Sequence, residues 1–316
     1  MQAPELEDVT LILSKEDAWE AFKQVLVPQR QSICTHAGLK VPFFVTSKSI
    51  SEIASLPLDP SDVWIVTYPK AGTTWTQNIV KLIRNKGEKD GVQLMRSVPW
   101  AEANSDQSVF KVKVNLSTLP KPRAFKSHLP YDLMPCGKPS TTPCKYIYVA
   151  RNPKDVVVSY FFHHKRWQVR KDATFDWNIF FRNYMYGNVD FGDFFDNVLS
   201  WWPHRNDDNV LFLMFEDMKK DPRAAITRIA TFIGADVSDE VIDKVVAETS
   251  FDSMKKDETA NYSTAHYFAN PGSTPFMRKG EVGDWRNHLT PEQSAEIDQL
   301  CEEKLKDTGL MFDFGE

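Results

Sequence analysis

The sequence predicts an α/β fold, a single domain with a central parallel sheet flanked by helices, and three observations predict it. Short apolar runs rich in β-branched and aromatic residues recur at 63–67, 145–150 and 210–215. A turn and then apolar residues at helical spacing follow the first and third of these runs. Capping signals mark where the helices begin: Asn152-Pro153, Asp221-Pro222, Ser238 and Thr290-Pro291. Strands alternating with helices put parallel strands in one sheet and helices on its faces.

In chain order, Val63-Trp64-Ile65-Val66-Thr67 reads as a buried strand. Trp75, Ile79, Leu82 and Ile83 then fall on one helical face, and Gly87 closes that helix. Arg123-Ala124-Phe125 reads as a strand end. Lys145 to Ala150 is a second buried strand, with Asn152 as N-cap and Pro153 in the first helical position of the next helix. The run 210–215 is a third strand. Ile226, Ile229, Phe232 and Ile233 follow it in a helix stopped by Gly234, and Val241, Ile242, Val245 and Val246 lie in the helix after that. Thr290-Pro291-Glu292-Gln293 forms a capping box ahead of Ile297, Leu300 and Leu305. The stretch 255–275 has little periodicity and reads as a loop or lid. Gly87–Asp90 and Pro135–Pro143 read as surface loops rather than linkers, so residues 1–316 form one domain.

Composition excludes several classes. The chain has 316 residues, 42% hydrophobic and 26% charged, values suited to a sizeable core. A net charge of -5 gives no global reason to expect a nucleic-acid partner. No apolar run approaches the roughly 18 residues a membrane span needs, and the acidic N-terminus lacks the order of a secretory signal. Cys34, Cys136, Cys144 and Cys301 are scattered without a C-x-x-C pair, so neither a zinc site nor a disulfide framework is expected. These readings describe a cytoplasmic globular protein with no metal, no nucleic-acid partner and no membrane partner.

The most informative segment is Thr67-Tyr68-Pro69-Lys70-Ala71-Gly72-Thr73-Thr74-Trp75, between a strand and a helix. That placement aims backbone N–H groups and the positive end of a helix dipole at one point. Gly72 permits close approach, Lys70 adds charge, and Thr73 and Thr74 add hydroxyls. It is not the G-x-x-x-x-G-K-[ST] loop of nucleotide triphosphatases, because the lysine precedes the glycine. The loop alone does not separate an anion site from a sharp capped turn with a solvated lysine. Lys126 and His128 stand two apart beside a strand end and so point to one face, where a histidine can take a proton near neutral pH. Arg151 lies at the turn after the second strand, and Ser159 on the helix that follows. Arg278-Lys279-Gly280 pairs two cations with a glycine.

The segment T-Y-P-K-A-G-T-T-W resembles the 5′-phosphosulfate loop of the cytosolic sulfotransferases, usually T-Y-P-K-S-G-T-T-W. The likeness covers nearly the whole chain and is strongest over 62–285. K-S-H-L-P at 126–130 resembles the family's K-x-H-L-P motif, R-N-P-K-D with Ser159 its second anion element, and F-M-R-K-G at 276–280 its third. The resemblance implies transfer of a sulfuryl group from 3′-phosphoadenosine 5′-phosphosulfate (PAPS) to a hydroxyl or amine of a small, aromatic or apolar acceptor. The product would be adenosine 3′,5′-bisphosphate (PAP), and no metal would be needed. It implies His128 as catalytic base, with Lys70 stabilising charge developing on the leaving phosphate and Lys126 positioning or neutralising the sulfuryl oxygens. Lys70, Ala71, Gly72, Thr73 and Thr74 would bind the phosphosulfate. Arg151, Ser159, Arg278, Lys279 and Gly280 would bind the 3′-phosphate. Trp75 and Phe251 would sandwich adenine, with Phe215, Thr249, Ser250 and Met254 around them.

Two residues depart from the pattern: Ala71 replaces a serine, and Phe215 a tyrosine, each removing a hydroxyl near the donor. The family's dimerisation motif, roughly K-x-x-x-T-V-x-x-x-E, is only partly matched at 286–295, where Pro291 replaces valine and Ala295 the glutamate, so a homodimer is left open. The acceptor pocket is expected from aromatic segments: Phe43-Phe44, Trp100, Phe161-Phe162 and Tyr267-Phe268. Phe43, Trp100, Lys126, His128, Phe162 and Tyr267 are its candidate contacts, with the first 45 or so residues and the 255–275 loop contributing. His163 and His164 are read as surface or supporting positions. Two other classes compete. A nucleotide phosphotransferase draws on the acidic Glu216-Asp217 after the third strand, and a binding protein without turnover draws on Ala71 and Phe215.

Overall fold

The computed structural model describes residues 33–36, 38–42, 44–104, 114–134, 139–166, 176–262 and 275–315. A hairpin of β1 (Ile33–His36) and β2 (Leu39–Pro42) precedes α1 (Ser47–Ala54). The central elements are β3 (Val63–Thr67), α2 (Thr73–Arg84), α3 (Leu94–Ser97), β4 (Ala124–Ser127), β5 (Lys145–Ala150) and α4 (Pro153–Arg166). There follow α5 (Trp177–Met185), α6 (Phe194–Trp201), β6 (Val210–Met214), α7 (Phe215–Lys220), α8 (Pro222–Ile233), α9 (Asp239–Glu248), α10 (Phe251–Lys256) and α11 (Pro291–Leu305). No described helix is long and apolar enough to cross a membrane.

The four central strands lie in the order β4-β3-β5-β6. All three pairings are parallel, with Val63 opposite both Ala124 and Lys145, and Tyr146 opposite Val210. The chain therefore steps from β3 outward to β4 and returns past β3 to β5. Such a reversal leaves a crevice beyond the carboxyl ends of the two strands where the connections part. The loops after β3 and β5 border that crevice.

Period-two alternation sends each strand's side chains to opposite faces. Trp64, Val66, Phe125, Tyr146 and Tyr148 enter one buried cluster with Phe180 and Trp201. Val63, Ile65, Ala124, Ile147 and Val149 enter the other with Ile79, Val80 and Leu82 of α2 and Ile226 and Ile229 of α8. Burial on both faces is why the strands read as continuous apolar runs rather than alternating ones.

Helix starts follow the capping signals. Asn152 Oδ1 accepts from Asp155 N at 2.8 Å, Ser238 caps α9, and Thr290 with Gln293 closes a capping box on α11. One boundary differs. The third strand ends at Met214, and Phe215 opens α7. The chain leaves the sheet there because Glu216 Oε1 accepts from Asn152 N at 2.8 Å and Asn152 Nδ2 at 2.9 Å. Two other expectations shift: α10 continues to Lys256 within the stretch read as loop, and Pro139 is buried. The loop residues 263–274 lie outside the described residues, as do most of the first 45 and Cys136; Cys144 and Cys301 are free thiols.

Candidate active site

The loop after β3 turns sharply. Ala71 N donates to Tyr68 O at 3.2 Å, and Lys70 and Gly72 both have positive φ, 71° and 111°. Gly72 is required twice over, since a Cβ there would also lie 2.9 Å from the Phe215 ring. No side chain caps the N-terminus of α2, so its first amides are left to the cavity the loop encloses. Thr73 differs from expectation. Thr67 Oγ1 donates its one hydrogen to Tyr68 O at 2.7 Å, so across the 2.6 Å contact between the two hydroxyls Thr73 is the donor. The Thr73 hydroxyl proton is spent inside the protein. Ala71 differs too: its methyl is buried in the aromatic core and does not line the cavity, so the serine-to-alanine departure leaves the cavity wall intact.

His128 and Lys126 both reach the cavity, as their spacing predicts. His128 Nδ1 lies 2.8 Å from the Thr67 carbonyl oxygen. A carbonyl only accepts, so Nδ1 carries the proton and Nε2 presents a lone pair. Burial, followed by the Lys126 ammonium, holds this imidazole well below its ordinary range, so it is neutral at physiological pH. The backbone beneath it is fixed by a residue that no sequence motif marked. Glu102 is fully buried, and its Oε1 accepts from His128 N at 2.6 Å. Burial pushes the Glu102 carboxyl up. The Lys126 ammonium sits 3.9 Å from the Trp100 ring centroid, and burial lowers it to about 8. Trp100 and Phe191 flank the imidazole, each with a ring centroid 5.1 Å away.

Lys70 faces the same space, with its ammonium 4.5 Å from the Phe276 ring centroid. Burial lowers it to about 7, aided by repulsion from Lys126, Arg166, Arg151 and Arg278. Such crowding of cations in a cavity marks a candidate anion site.

Arg151 donates to the Glu281 carbonyl at 2.7 Å and the Lys70 carbonyl at 3.4 Å, tying the loop after β3 to the segment before α11. Its guanidinium also lies 4.4 Å from the Phe215 ring centroid and 3.4 Å from Asp155, while its buried Nε has no hydrogen-bond partner among the described residues. Asp155 accepts in turn from Gly283 N at 2.8 Å and Trp285 N at 3.0 Å. Arg278 and Lys279 both rest on Asp284, whose carboxyl they help hold well below the usual range. Gly280 has φ of 67°, and a Cβ there would lie 2.6 Å from the Phe251 ring. Ser159, on α4, opens onto the same space.

These elements enclose one cavity of about 400 Å³. Its lining includes one group of Trp75, Phe215, Thr249, Ser250, Phe251, Met254 and Tyr262 and another of Met95, Trp100, Phe191, His163 and Phe276, and the Tyr262 and Phe276 rings, 4.8 Å apart, join the two. The Thr249 and Ser250 hydroxyls serve their own helices, Thr249 donating to Val245 O and Ser250 capping α10. Phe162 lies off the main cavity, against Arg278 and His288, in a small side recess. Phe43 and Tyr267 lie outside the described residues. His163, read as a surface or supporting position, lines the cavity, whereas His164 is fully buried 3.9 Å from Asp190. Sequence reasoning missed Glu102, Arg166, Phe191, Lys219, Tyr262 and Phe276. Phe276 could have been found from its place in F-M-R-K-G; the others carry no local signal.

The chain matches the model of the sulfotransferase domain family over residues 60–309. It is 39% identical over 271 residues to sulfotransferase 1C2 of Rattus norvegicus, covering 83% of this chain and 89% of that protein. To the amine sulfotransferase of Oryctolagus cuniculus it is 38% identical over 274 residues, covering 85% and 88%. Retinol dehydratase in complex with androsterone and the inactive cofactor PAP superposes with a TM-score of 0.79 at 26% identity, covering 93% of this chain and 96% of that one. Mouse sulfotransferase SULT7A1 complexed with PAP gives 0.72 at 30% identity, covering 88% and 95%.

Proposed function

The chain belongs to the sulfotransferase family, and from that premise we propose how its residues carry the reaction. The enzyme transfers a sulfuryl group from PAPS to a small acceptor. The observation that carries the residue assignment is the convergence of cations, in excess of the carboxylates that line the same space, on a neutral imidazole. Lys70, Lys126, Arg151, Arg166, Lys219, Arg278 and Lys279 line the cavity, against the carboxylates Asp190 and Glu281. A donor with a 3′-phosphate and a 5′-phosphosulfate supplies the missing negative charge. The unpartnered Nε of Arg151 and the uncapped start of α2 are suited to the same anions.

In this reading Arg151, Ser159, Arg278, Lys279 and the Gly280 backbone hold the 3′-phosphate. Lys70, Gly72, Thr74 and the α2 amides hold the phosphosulfate, while Trp75 and Phe251 flank the adenine. His128 Nε2 accepts the proton of the acceptor hydroxyl or amine as its oxygen or nitrogen bonds to sulfur. The bond between sulfur and the 5′-phosphate oxygen breaks in the same in-line step, and PAP leaves with the electron pair. Lys70 stabilises charge growing on that oxygen, and Lys126 orients the sulfuryl oxygens. Thr67 O and Glu102 keep the base in the correct tautomer and place.

Trp100, Phe191 and Phe276 supply apolar walls for the acceptor, as expected for an aromatic or apolar molecule. The amine, retinol and androsterone named with the relatives support a hydroxyl or amine on an apolar frame. The test is label transfer from PAPS, marked in its sulfuryl group, to a panel of phenols, alcohols and amines in the presence of EDTA. Transfer that collapses in His128→Ala supports the assignment. Unchanged transfer in that variant would remove His128 as the base.

A further inference from the structure

One stripe of α4 runs along the cavity. Ser159, His163 and Arg166 stand four and three residues apart, so they share a helix face, and all three line the cavity. Ser159 stands at the end assigned to the 3′-phosphate. Arg166 lies seven residues further, about 10 Å along the axis at 1.5 Å per residue, and its long side chain also borders the small recess lined by Lys70, Ser159, Phe162 and Arg278. Its guanidinium is 5.6 Å from the centroid of the same Phe276 ring that carries Lys70 on it at 4.5 Å.

Arg166 differs from the other buried or half-buried arginines. Arg123, Arg151, Arg182 and Arg278 each meet a carboxylate, and Arg84 and Arg205 donate to backbone carbonyls. Arg166 has neither a carboxylate nor a hydrogen-bond partner among the described residues, and burial alone perturbs it. A guanidinium withdrawn from water without a partner is costly unless a ligand completes it. The cavity-lining Asp190 does not serve it, standing 3.9 Å from His164 instead. The donor's anions are already met by Lys70, Arg151, Arg278, Lys279 and the start of α2. The charge at Arg166 is surplus to them.

We propose that Arg166, with His163 beside it, receives an oxyanion carried by the acceptor itself. The acceptor is then a small apolar molecule with a reactive hydroxyl or amine at one end and a carboxylate, sulfate or phosphate at the other. His128 addresses the first group and Arg166 the second, and the aromatic walls between them hold the frame. The inference rests on the sulfotransferase reading of the cavity and adds the acceptor's charge class to it.

The test is calorimetric titration of the PAP-saturated protein with 3-(4-hydroxyphenyl)propionate and with its uncharged methyl ester. The carboxylate is expected to bind at least about tenfold more tightly, the scale of one charge-assisted contact. In Arg166→Gln that ratio falls to about one, and in Arg166→Lys it is partly restored. PAP affinity, measured in the same variants, reports both folding and any role toward the donor. Equal binding of acid and ester by the unaltered protein overturns the proposal. So does a loss of PAP affinity in Arg166→Gln with the acid-to-ester ratio preserved, which would assign Arg166 to the donor. Because these are binding measurements, they stand apart from label transfer: failure of transfer with the ratio intact would strike the catalytic role of His128, not Arg166.

Discussion

The two ends of the cavity hold their cations differently. At the donor end, Arg151 is anchored by Asp155 and two backbone carbonyls, and Arg278 and Lys279 share Asp284. At the end assigned to the acceptor, Lys126 rests on Trp100 and Arg166 on Phe276; Lys70 shares the Phe276 ring, and none of the three has a salt bridge among the described residues. A carboxylate fixes a guanidinium in direction as well as in place. A ring attracts a cation by about 0.5–2 kcal/mol and leaves its hydrogens free for a ligand. The difference matches two tasks: holding one nucleotide in a single pose, and accepting a small molecule whose shape is not dictated by the chemistry. It also places the imidazole proposed as the base where the two regimes meet, on a backbone pinned by Glu102 beneath aromatic walls.

Breaking the acceptor end at its reacting group gives the largest effect. His128→Ala should lower kcat by about 10²–10⁴ while PAP affinity by calorimetry stays within about twofold. A matched loss of PAP affinity would mean that the imidazole serves the donor. The pH profile sharpens the same point. Because burial and Lys126 hold His128 well below 6.5, its protonation removes activity only as pH falls below that depressed value. The single-turnover rate should therefore show no acid limb near pH 6.5.

The donor end breaks at its anchors. Asp155→Asn leaves Arg151 without its carboxylate and weakens the acceptor of Gly283 N and Trp285 N. Loss of one member of a buried pair costs about 3 kcal/mol, to be read as a lower Tm together with weaker PAP binding. Weaker PAP binding with an unchanged Tm would show that Asp155 aligns the site without supporting the fold.

Protonation comes next in size. Lys70 is lowered to about 7 in the free protein, so above that pH it is neutral and anion binding must take up a proton. PAP affinity should fall by up to about tenfold per pH unit above 7, and Lys70→Met should flatten that slope. The smallest effect is expected from Phe215→Tyr. Its ring packs over Gly72 and Arg151 at the cavity wall, and restoring a hydroxyl should tighten PAP binding by about 0.5–1.5 kcal/mol.

Much of the cation-rich lining of the cavity was legible in the residues alone. Lys70, Gly72, Arg151, Arg278 and Gly280 sit in contiguous motifs, each a turn or loop that a short stretch of chain specifies by itself. The strands at 63–67 and 145–150 and the capped helices were legible for a related reason, since apolar period and cap chemistry act within a few residues. Tertiary structure decided what depends on distant partners. Glu102 reaches His128 across 26 residues, and no local pattern marks a carboxylate destined for burial. The Thr73 hydroxyl looks available in sequence but is spent on Thr67, and the Ala71 methyl turns into the core. His163 and Arg166 became cavity residues only because α4 packs with that face toward Phe276. Local physics names the residues able to bind an anion. Which of them face the ligand, and which face one another, is settled when the sheet order brings the loops after β3 and β5 to the same crevice.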